Sequence, residues 1–256
     1  MPTASERKAR AKQYLHGQLL IGAVAVGVAV TAYALVSVCV EMAAFAVGAG
    51  SDSLVYLLFS AGGAILCLFA VAPLIYGINK RCLLTALGNF APLSEIFTLF
   101  SEGNRYFRYV MMTARIYLRA FLYGVAFYLL GGVGLYLLNS DTVVLTSTLS
   151  SLLSFATALM FTLGGILSAF ALARAFLCDY LFALEPDCKT GEILRRSSQM
   201  MSGRIVELAE LLFRFIPWFL LAVTGIALPF VAAYYEMAAA VLAKDIIYGG
   251  EEWPNS

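Results

Sequence analysis

"LLIGAVAVGVAVTAYALVSVCV", residues 19–40, contains no charged side chain. About 20 apolar residues in a helix span a hydrocarbon core about 30 Å thick, so this stretch alone can cross a bilayer. Further runs of the same character cover 54–78, 121–138, 145–177 and 211–242. Charged residues make up 13% of the chain, about half the ~25% of soluble domains, and hydrophobic ones 61%. Mean hydropathy is +0.85. These values predict an all-α integral membrane protein with one membrane domain over 18–247, a basic segment 1–17 before it and a polar tail 248–256 after it. The basic lead "ERKARAK" resembles that of a signal peptide, but the apolar run behind it far exceeds a cleavable core of about 7–15 residues. An uncleaved first span is the preferred reading, and removal near "AAFA" at 43–46 the lesser alternative.

Orientation follows from where the basic residues fall. Arg7, Lys8, Arg10 and Lys12 precede the first span. Lys80, Arg81, Arg105, Arg108, Arg115 and Arg119 lie around the region between the second and third, and Arg174, Lys189, Arg195, Arg196, Arg204 and Arg214 around 179–210. The short connections "GAGSDS" at 48–53 and "NSDT" at 139–142 have none. The positive-inside rule then sets the N-terminus, 79–108 and 179–210 in the cytoplasm and the two short connections outside.

Two runs do not fit one simple span. Residues 145–177 would make a helix of roughly 50 Å at 1.5 Å per residue, so it must tilt, kink near Gly164–Gly165, or extend until Arg174 and Asp179 reach water. The run from 211 breaks at "TGIALP", where Gly225 and Pro229 both weaken a continuous helix. Six spans, with the C-terminus inside, are therefore expected. Five remain the alternative, with Glu251 and Glu252 outside.

Two polar connections show helical amphipathicity. In 191–203, Ile193, Leu194, Ser197, Met200 and Met201 share one face, opposite Glu192, Arg195, Arg196, Gln199 and Ser202. In "PLSEIFTLFSEG", Leu93, Ile96, Phe97, Leu99 and Phe100 oppose Glu95, Thr98, Ser101 and Glu102. Each follows a proline (Pro186, Pro92) and stops at a glycine (Gly203, Gly103). Both are expected to lie in the cytoplasmic interface with arginines toward headgroups, or else to be solvated connectors. The shared order of span, proline, amphipathic helix, glycine and span suggests a duplication, 54–138 and 145–247.

The stretch "EILRRSSQMMSGRIVELAELLFRFIPWFLLAVTGIALPF" resembles the carboxy-terminal signature of the multi-pass bacterial membrane proteins catalogued as domain of unknown function 975. Ser198, Met201, Gly203, Ile216, Trp218, Gly225, Ile226, Pro229 and Phe230 fill its pattern, and "YLFALEPD" at 180–187 matches a tyrosine-to-proline segment before it. Pro217 beside the tryptophan and Phe230 in place of tyrosine depart from it. The resemblance implies a multi-pass bacterial architecture and no activity.

Catalytic chemistry finds little to work with. The single histidine, His16, lies in the basic N-terminal segment, so His-based zinc sites and Ser-His-Asp triads are excluded. HExxH, GxGxxG and GxxxxGK[ST] do not occur, the five cysteines form no CxxC, and no cofactor is expected. Ser150, Ser151, Ser154 and Ala158, with Gly131, Gly132, Gly134, Gly164 and Gly165, read as small helix-contact residues. The charge blocks adjoin spans, so they give no reason to expect nucleic acid. Arg115 and Arg119, one turn apart with Arg108 on the same face, are candidates for contact with anionic lipid headgroups or with a substrate. Glu236 interrupts an apolar run and is a second candidate for substrate contact, while Glu41 marks the outer end of the first span. The sequence thus predicts a non-enzymatic scaffold or accessory subunit in the plasma membrane, with lipid and a protein partner or second copy around it. A small transporter or lipid-handling protein is the alternative.

Overall fold

A computed structural model describes residues 4–15, 18–48, 54–89, 91–139, 146–223, 225 and 227–249, and all the regular structure in them is helical. The helices are α1 (Ala4–Leu15), α2 (Leu19–Ala46), α3 (Leu54–Ala86), α4 (Thr98–Ser101), α5 (Gly103–Asn139), α6 (Ser147–Arg174), α7 (Cys178–Leu184), α8 (Thr190–Met200), α9 (Ile205–Ala222) and α10 (Leu228–Ile247). A 3₁₀ turn at Leu93–Phe97 leads into α4. Four helical stretches are long and apolar enough to cross a membrane: Leu19–Ala46, Val55–Ala86, Gly103–Leu138 and Ser147–Leu184. His16, Asp52, Asp141, Glu251 and Glu252 lie outside the described residues.

The chain divides into two compact units, one of 1–113 with 177–256 and the other of 114–176. Helix α10 forms the centre of the first, packed against α1, α2, α3 and α9. Every residue from Met237 to Ala243 is buried, so this apolar stretch of α10 is covered all round, while Leu228 and Phe230 at its start are exposed. Its alanines let neighbours approach closely: a Cβ on Gly22 of α2 would stand 3.3 Å from Ala233 Cβ. Helix α9 ends at Ala222, Gly225 takes φ 75°, and Pro229 opens α10, so the chain breaks where the glycine and proline fall.

Helix α3 runs through Pro73, which has no N–H to offer the carbonyl of Phe69 one turn earlier. The Tyr106 hydroxyl donates to that oxygen at 2.8 Å and replaces the missing bond. Four residues further along α3, Gly77 receives the 3₁₀ turn: a Cβ there would stand 2.5 Å from Ile96 Cα and collide with the Ile96 carbonyl. The 3₁₀ geometry changes which residues face inward. Ile96 in the 3₁₀ turn and Leu99 in α4 are buried, while Phe97 and Phe100 are exposed. The single apolar face expected of an α-helix over this segment is therefore split in two.

In the second unit the remainder of α5 and α6 form a hairpin fitted by glycine. A Cβ on Gly131 would press Phe161 at 3.0 Å, one on Gly164 would press Tyr128 at 2.8 Å, and one on Gly134 would collide with Thr157 Oγ1. Gly132 and Gly165 face open space instead. Ser151, Ser154 and Ala158 are also exposed rather than in the hairpin contact, and both serine hydroxyls return to backbone carbonyls one turn earlier. Helix α6 is continuous through Gly164–Gly165. These units cut across the two halves of the suggested duplication.

Candidate functional site

Two polar assemblies lie inside the first unit, and both draw on residues far apart in sequence. In the first, Arg7 of α1 is 3% exposed. Its guanidinium meets Glu207 in the first turn of α9 and Asp245 in the last turns of α10, the latter at 3.1 Å. Next to it Lys244 donates to Ala86 O at the end of α3 at 2.8 Å. Buried Arg81 donates to Ala91 O at 3.2 Å and to Gln18 Oε1 at 3.3 Å. Arg7 and Arg81 were expected to mark orientation, and in the structure they also tie the protein's own segments together.

The second assembly centres on Asp179 of α7. Its carboxylate accepts Asn79 Nδ2 of α3 at 2.9 Å and the Tyr109 hydroxyl of α5 at 3.1 Å. Water around Asp179 was one of the expected alternatives; in the structure it is half-buried beside these neighbours and a ring cluster. Tyr76, Tyr109 and Phe182 pack with centroids 4.8–5.5 Å apart. Glu236 of α10 is half-buried and within electrostatic range of Asp179, Tyr180 and Cys82. The sequence reading singled out Glu236 and missed Asp179 with its partners Asn79 and Tyr109.

The amphipathic face of α8 is covered by protein. Ile193, Leu194, Ser197 and Met201 are 7% exposed or less, while Glu192, Arg195 and Gln199 are exposed. The polar connection before it is held from both sides. Arg196 bonds Glu185 at 2.6 Å, Arg105 meets Asp187 at 3.6 Å and Glu102 at 2.8 Å, and Arg108 donates to Cys188 O at 2.5 Å. The hydrogen bond and charge of Glu185 hold the Arg196 guanidinium above its ordinary pKa. Arg196 is therefore paired within the chain rather than turned to headgroups. Lys80 lies 2.8 Å from Glu95 Oε2, close enough for an ion pair but not aligned as a hydrogen bond.

Arg115 and Arg119 are both exposed on α5 and belong to the second unit, whereas Arg108 belongs to the first. Glu41 is exposed near the end of α2. Among the described residues no three His, Cys, Asp or Glu side chains gather as a metal centre. No family model, curated protein or solved structure matches this chain.

Proposed function

We propose that this chain is a plasma-membrane protein of six spans with a cytoplasmic N-terminus, acting without catalysis as a scaffold or accessory subunit. The kinship with the family catalogued as domain of unknown function 975 is part of the same proposal. The start of α9 and the end of α10 meet at Arg7, which supports a hairpin. Its arms of 18 and 20 residues are about 27 and 30 Å long, matching the hydrocarbon core. Under this topology Cys188 stays unlabelled when an impermeant maleimide is applied to intact cells, and is labelled in inside-out vesicles. Labelling from outside would overturn the orientation.

One observation carries the scaffold reading. Beside its contact with α5, helix α6 presents a second, exposed face of small residues: Ser147, Ser151, Ser154, Ala158, Thr162, Gly165 and Ala169. Spaced three and four apart, they form one continuous stripe, and small residues at this spacing let a second transmembrane helix approach closely. The occupant is a helix of a partner protein or of a second copy. Native mass spectrometry in nanodiscs tests this. The wild type is expected to carry its partner, Ala158→Leu with Gly165→Leu to release it, and Leu152→Trp on the other side of α6 to leave it in place. A wild type that is monomeric and alone, or a complex indifferent to the stripe, sinks the reading.

The runner-up, a small transporter or lipid-handling protein, draws support from the half-buried Glu236 beside Asp179. Under either reading, anionic headgroups are the proposed partners of the exposed Arg115 and Arg119, whose forked donors suit phosphate oxygens.

A further inference from the structure

Asn79 of α3, Tyr109 of α5 and Asp179 of α7 meet in the first unit, and Glu236 of α10 lies within electrostatic range of Asp179. Asp179 is stabilised by two hydrogen bonds, from the Asn79 amide and the Tyr109 hydroxyl. Glu236 has no hydrogen bond and no ion pair among the described residues, and it feels the charge of Asp179. No basic side chain among them answers either carboxylate. Of the cations near this cluster, Arg81 is committed to Ala91 O and the Gln18 side chain, and Arg105 to Glu102 and Asp187. Two half-buried carboxylates within electrostatic range of each other, without a positive partner, are costly. A charge of opposite sign is missing.

A separate observation points the same way. Asn79 is 7% exposed, and while its amide nitrogen is bonded to Asp179, its Oδ1 is buried and accepts no hydrogen bond among the described residues. Buried amide oxygens almost always find a partner, so an orphan here asks for something to fill its lone pairs. An amide oxygen, carboxylate oxygens and a phenolic oxygen are the donors that hard cations take, and no imidazole among the described residues joins them. We propose that this cluster binds one small hard cation, of the alkali or alkaline-earth class, through oxygen ligands from α3, α7 and α10. The ion would link α3, α7 and α10, and the proposal does not rest on the scaffold reading.

The test uses the full chain in nanodiscs, at constant ionic strength in choline chloride. Sodium, potassium, magnesium and calcium chlorides are added singly, and thermal unfolding is followed. At least one of the four is expected to raise the melting temperature saturably, by roughly 5 °C at about a hundredfold excess over its midpoint. Glu236→Gln, which keeps the shape of the side chain, should abolish the response, and Glu210→Gln, in an exposed pair with Arg214, should keep it. If Glu236→Gln does not fold, Asn79→Ala should raise the ion midpoint about tenfold or more. A wild type indifferent to all four ions overturns the site, as does a response that survives both variants. A Glu236→Gln chain that is more stable than an ion-indifferent wild type means that the carboxylates merely share a proton, and it too overturns the proposal.

Discussion

Alanine at position 7 is expected to cost about 3 kcal/mol, near the low end of what removing one partner from a buried ion pair costs. The Arg7 side chain is 4% exposed, and of its two partners Asp245 is 8% and Glu207 25% exposed. Removing the guanidinium leaves the Asp245 carboxylate under cover of α1 with no replacement cation. Lys244, its neighbour in sequence, is already bound to Ala86 O. Glu207, more open, can turn to water, which keeps the expected loss at about 3 rather than 5 kcal/mol. A drop in melting temperature of roughly 5–10 °C should follow, with faster proteolysis of α1. Arg10→Ala, at an exposed position on the same helix, is the control and should stay within about 0.5 kcal/mol. Pairing Arg7→Leu with Asp245→Leu should restore much of the loss, because an apolar pair needs no compensating charge. If Arg7→Ala and Arg10→Ala melt alike and expose α1 equally, the ion pair is not what holds the helix.

Gly77→Ala should also be severe, through steric overlap rather than charge. The new methyl would meet backbone atoms, the Ile96 carbonyl and Cα, neither of which can rotate away as a side-chain tip can. Helix α3 and the 3₁₀ turn must separate, which pulls Ile96 and Leu99 out of their buried positions and parts Lys80 from Glu95. Overpacking of this kind costs about 1–3 kcal/mol, and valine should cost more than alanine. Gly62→Ala is the matched control: it lies in the same helix with open space around it, so better helix propensity should make it neutral or mildly stabilising by up to about 1 kcal/mol. A Gly77→Ala protein that melts with Gly62→Ala would show that the close approach is not needed.

The long apolar helices were legible because crossing a hydrocarbon layer demands only length and composition, both local properties. The break between α9 and α10 was legible for a similar reason, since Gly225 and Pro229 act on their own backbone. Partnership was not. In "ERKARAK" nothing local distinguishes Arg7 from Arg10, and Glu207 and Asp245, on α9 and α10, make one of them a core residue. Asp179 looked like the wet end of a long run because the amide and phenol that bond it come from α3 and α5. The segment at 93–101 was misjudged because its winding is not uniform: a 3₁₀ turn over Leu93–Phe97 precedes α4, and Ile96 and Leu99 go in while Phe97 and Phe100 stay out. On α6 the small residues were identified correctly as a type but assigned to one contact, when Gly164 serves the hairpin and Gly165 faces away. The candidate site was thus only one quarter visible, through Glu236.

The contacts of Arg7 also impose an order of events during synthesis. Its partners follow it by 200 and 238 residues. At about 5–20 residues per second, a ribosome reaches Asp245 roughly 10–50 s after it has made Arg7. Until Glu207 and then Asp245 have been made, the guanidinium lacks the pair of carboxylates that accompanies it out of water, so α1 must wait in solution while the helices after it are laid down. Its docking is a closing step, and a chain released before Asp245 has been added would be left with α1 undocked, a visible mark of incompletion for any protease that surveys the nascent protein.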